Sequence, residues 1–85
     1  MSKTPMTAPA ALLELPDPIV RQLNNCRKMW LGDMKRLDKT MSFWDRGYIH
    51  GILTALMKLK ILDIDERREL AEWFLREEET DEQAE

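Results

Sequence analysis

One cysteine, one histidine and three glycines are all that this 85-residue chain carries of those types. One cysteine excludes an internal disulfide, and one Cys with one His excludes a closed tetrahedral zinc site. No apolar run approaches the ~20 residues needed to cross a bilayer. The sequence has no phosphate-cradling glycine loop, no dinucleotide fingerprint, no H-E-x-x-H and no paired-cysteine spacing. Strand-like alternation is absent throughout. These absences leave neither a cofactor nor a catalytic constellation to argue from, and no resemblance to a known family arises from the residues.

So short a chain is one domain at most, and its packed part is marginal for a monomer. Disulfide and metal staples are excluded, so oligomerisation or partner binding is the expected remedy, and a homodimer at micromolar concentration is the first expectation. A single unpaired thiol fits a reducing cytoplasm. The first eleven residues hold one Lys and no apolar segment, and read as no secretory signal. The expected location is cytoplasmic.

The charges are sorted along the chain. From Asp17 to Lys60 nine Lys/Arg face four acids, a net +5; from Ile61 to Glu85 eleven acids face three bases, a net −8. Such polarity speaks of partners and steering rather than of fold.

Three cap signals and apolar steps of three and four predict three helices, near Asp17–Met41, Phe43–Leu59 and Asp63–Arg76. Asp17 followed by Pro18 reads as an N-cap and first helical residue. Ile19, Leu23, Cys26, Trp30, Leu37 and Met41 make one stripe, with Gly32 a point of kinking. Ser42 reads as the cap of the second helix, after a turn from Asp38. That helix is apolar on more than one face, and so reads as buried on two sides. Asp63 and Glu66 form a capping box. The fold class is all-α: one long helix followed by a helical hairpin. The domain spans 12–76, between a disordered N-terminal tail (1–11) and a disordered acidic tail (77–85). Leu12, Leu13 and Leu15 are apolar for a tail and are expected to dock or form a short turn ended by Pro16.

Gly47, Gly51 and Ala55 recur every four residues on the second helix. Two glycines cost about 2 kcal/mol of helix propensity against alanine, so something must approach that stripe. Two partners are open: a helix of the same chain, or a surface for self-association or a partner. Trp30, Trp44 and Trp73 put one tryptophan on each helix. Trp73 and Phe74 lie about 100° apart, so only one can point fully inward, and Trp73 is taken as the exposed anchor. Arg27 and Lys35, with the tail acids Glu77, Glu78 and Glu79, are expected to steer and orient a partner. Cys26 reads as a small buried hydrophobe. His50 has no ligand or nucleophile partner that would complete a site.

The function these residues predict is a small non-enzymatic helical interaction module. It would be an adaptor or inhibitor binding another protein, with nucleic-acid-handling proteins among the candidates. The alternative is a small dimeric DNA-binding regulator using the basic face of the first helix. Direct nucleic-acid binding is disfavoured, because the chain is net acidic and a recognition helix opening on Asp63, Asp65 and Glu66 would meet phosphate with acids. No cofactor, metal or membrane is expected.

Overall fold

The computed structural model describes residues 7–77. The element order is a short 3₁₀ turn (Ala10–Glu14) and three α-helices, α1 (Asp17–Lys35), α2 (Lys39–Lys58) and α3 (Ile64–Phe74). The all-α, three-helix reading holds. Residues 1–6 and 78–85, which carry most of both expected tails, lie outside the described residues. Among the described residues no helix is long and apolar enough to cross a membrane.

Helix α1 is shorter than its apolar stripe suggests. It ends at Lys35 rather than Met41, and α2 begins at Lys39, four residues before Phe43. The stop is a Schellman motif. The Asp38 amide donates to the Asp33 carbonyl at 2.9 Å and the Leu37 amide to the Met34 carbonyl at 3.0 Å. Leu37 takes the left-handed position, with φ 61°. Lys60 does the same after α2, with φ 66°, and there the Ile61 amide donates to the Leu56 carbonyl at 2.9 Å. Gly32 lies inside α1, which runs unbroken through it.

The caps differ from expectation in two places. Asp38, not Ser42, caps α2: its Oδ1 accepts from the Met41 amide at 3.0 Å, while the Ser42 hydroxyl donates to the Lys39 carbonyl. Asp17 is the first residue of α1 rather than its cap, which falls on Pro16 with no side-chain bond. An acid there still favours the positive helix end. The Asp63–Glu66 capping box forms as expected, with reciprocal bonds of 2.8 and 3.0 Å. Helix α3 stops two residues before Arg76.

The core is built from one stripe per helix. Leu23, Ile49, Leu53, Leu70 and Phe74 are fully buried. Cys26 is buried beside them, and burial, then the nearby Asp45 carboxylate, pushes its thiol above the usual range. Ala11 and Leu15 close one end of the core from the 3₁₀ turn, so the leucine-rich segment does dock, although Leu13 points to solvent. Arg27 is buried and crosses from α1 to the end of α3. It donates to the Phe74 carbonyl at 3.2 Å and also to the Arg76 carbonyl. The Phe74 carbonyl is one that the end of α3 leaves without an intrahelical partner, and the Arg76 carbonyl lies just beyond it.

Candidate docking face

Helix α2 is not buried on two sides. Its inward face carries Ile49, Leu53 and Leu56, while Phe43, Trp44 and Tyr48 on the outward face are 76%, 62% and 58% exposed. The small-residue stripe runs through the same outward face. A Cβ built on Gly47 or on Gly51 meets no heavy atom within 4 Å. Among the described residues no helix packs on Gly47 or Gly51, so packing within the described fold does not account for them. Phe43, Trp44, Tyr48 and Ile52 stand around the stripe and enclose a shallow groove of about 680 Å³ with Gly47, Gly51 and Ala55 as its floor.

A second hollow, of about 490 Å³, lies between α1 and α2 and shares Trp44 and Tyr48 with the groove. Met29 and Met41 wall it, and Asp45 is the one carboxyl that lines it. Asp45 is only 6% exposed and is hydrogen-bonded to Asp33 of α1, which is also buried. Burial first, then the hydrogen bond and charge of Asp33, pushes the Asp45 carboxyl up to about 6. Asp33 moves the other way, held low by its hydrogen bonds to Asp45 and Arg36. The Arg36 guanidinium is ion-paired with Asp33.

The residues singled out from sequence fall elsewhere. Trp73, Arg27 and Lys35 come together, with Lys28 and Arg76, around a third hollow of about 600 Å³ lined by four cations and no acid. Trp73 is not a free anchor. It is half-buried, packs against the core and is covered by the Arg76 guanidinium, 3.7 Å from the ring centroid. Phe74 is the one of the pair that points fully inward. Lys35 and Glu77 are exposed. Glu78 and Glu79 lie outside the described residues. The exposed tryptophan is Trp44, which sequence reasoning did not single out. The signal that could have found it was the excess of apolar residues on α2 over what two short partner helices can cover.

His50 is half-buried, and its Nδ1 lies 3.3 Å from an Arg67 nitrogen; Arg67 also donates to the Thr54 hydroxyl at 3.1 Å. Burial, then the charges of Arg67 and Arg46, lowers the histidine's pKa. This group ties α3 to α2. Among the described residues no three His, Cys, Asp or Glu converge on a metal-sized site. Comparison with protein families, with curated proteins and with solved structures found no match for this chain.

Proposed function

We propose that the chain is a non-enzymatic binding module whose outward α2 face docks a protein partner. The observation that carries this is the pairing of three exposed aromatics with two glycines against which no described residue packs. Phe43, Trp44 and Tyr48 left in water forgo roughly 1.5–3 kcal/mol of burial each, and the open glycines forgo helix propensity. Both costs are recovered when another backbone lies along the stripe and the aromatics close around it. Aromatic side chains are also those most often found at interface hot spots.

The occupant is a heterologous protein rather than a second copy. Helix α2 carries Lys39, Arg46 and Lys58, and its one acid, Asp45, is buried. A two-fold crossing of α2 on α2 would bring like charges together. On this reading the exposed Lys35 and Glu77 act at the edge, on encounter rate more than on final affinity. The four-cation hollow beside α1 keeps the nucleic-acid alternative in view, and a steep fall of duplex affinity with salt would be its signature.

The test is affinity capture with the full chain, comparing the unaltered protein with Gly51→Leu. The Cβ of the new side chain meets no described heavy atom within 4 Å, and circular dichroism is expected to be unchanged. The proposal expects a protein retained by the unaltered chain and lost with Gly51→Leu. Retention by both would overturn it. Sedimentation of the purified chain at 10.1 kDa supports a heterologous occupant, and twice that mass argues for a second copy.

A further inference from the structure

Resting on the docking face described above, we infer that the hollow between α1 and α2 takes a basic side chain, Lys or Arg, presented by the partner. Asp45 is the carboxyl in that hollow; its Oδ2 is buried, and among the described residues no hydrogen-bond donor reaches it. A buried oxygen without a donor keeps its full desolvation penalty, which is larger when the group is charged. Native structures keep few such groups, and each calls for an explanation.

The local charge fits a cation. The ionisable groups that act on Asp45 are Asp33, Asp38 and Arg36: with Asp45 itself, three carboxyls against one guanidinium. That guanidinium is already committed to Asp33. An arriving ammonium or guanidinium would supply both the missing donor and the missing charge.

The walls fit the rest of the side chain. Met29 and Met41 are 55% and 43% exposed and offer flexible apolar surface to a methylene stem. Trp44 and Tyr48 stand beside them, and aromatic faces attract a cation within about 6 Å. Both rings also belong to the α2 groove. A partner segment lying along the glycine stripe therefore has this hollow beside it, on the α1 side. A single basic residue among its apolar ones would distinguish it from a purely apolar helix.

The test uses the full-length protein and two small probes, N-acetyl-lysine methylamide and its uncharged counterpart N-acetyl-norleucine methylamide. Binding is followed by NMR on the Trp44 indole N–H and the Met41 methyl. The lysine probe is expected to give saturable shifts at both reporters, at least about fivefold tighter than the norleucine probe. Asp45→Asn, which can still hydrogen-bond Asp33, is expected to abolish that preference. Trp44→Leu, read at Met41, is expected to weaken the lysine probe. Equal affinity for the two probes, an unchanged preference in Asp45→Asn, or no saturable shift would each overturn the inference. Those outcomes leave the docking face itself to be judged by Gly51→Leu, so the two failures are distinguishable.

Discussion

Arg27, in the middle of α1, donates to the main-chain carbonyl of Phe74 at the end of α3, 47 positions along the chain. A guanidinium chosen from sequence as a surface steering group is instead a bolt between the first and last helices. Its replacement leaves carbonyls at the end of α3 without their donor. Arg27→Met is expected to lower stability by about 1.5–3 kcal/mol, read as a lower urea midpoint with an unchanged slope. A shift near zero would mean that water replaces the guanidinium without cost.

The Asp33–Asp45 pair predicts a pH signature. The folded-state pKa of Asp45 is raised, to about 6, above an ordinary unfolded value. Its contribution to stability is therefore fully present below about pH 4 and is lost as pH rises through about 6. Asp45→Asn removes that loss. The variant should exceed the unaltered protein by roughly 1–2 kcal/mol at pH 8 and by little at pH 4. His50, lowered in the fold, runs the opposite way: its contribution is present above its unfolded pKa and lost as pH falls. Only the difference between variant and unaltered protein isolates Asp45. A difference independent of pH would contradict the account.

Leu37 holds a left-handed conformation and is 81% exposed. A side chain there costs about 1 kcal/mol against glycine and gains little from burial. Leu37→Gly should raise the thermal midpoint, corresponding to roughly 0.5–1 kcal/mol. A lowered midpoint would show that Leu37 makes contacts that outweigh the strain.

That position also explains what the sequence conceals. The Asp63–Glu66 box, the buried Cys26 and the helix count follow from local signals, and all were legible. The end of α1 was not, because a leucine sits where a glycine usually announces the stop, and Leu37 and Met41 continue the apolar steps past it. The docking face was hidden for a related reason. Periodicity shows that α2 is apolar on two faces, but not that the chain runs out of partners for the second. Phe43, Trp44 and Tyr48 have the same character as Ile49 and Leu53; only the placement of α1 and α3 separates them. For Trp73 and Phe74 the sequence correctly sent one ring fully inward, but the stacked Arg76 that covers the other could not be read from spacing.

The open glycines predict a trade between stability and binding. Gly47→Ala and Gly51→Ala should each stabilise the isolated protein by about 1 kcal/mol, since the new methyl meets no heavy atom of the described residues within 4 Å. Each should also weaken partner binding, because the methyl stands where the partner's backbone passes. Stabilisation without any loss of binding would remove the stripe from the interface.

Photo-crosslinking tests the docking face most directly. Benzoylphenylalanine replaces Tyr48 on the α2 face, Lys28 beside the four-cation hollow, or Arg68 on the exposed side of α3, and each protein is irradiated in the cells that produce it. The account predicts a discrete adduct from position 48, heavier than the chain by the mass of a different protein, and only background from positions 28 and 68. Adducts from position 28 with none from position 48, or equal adducts at all three, would contradict it.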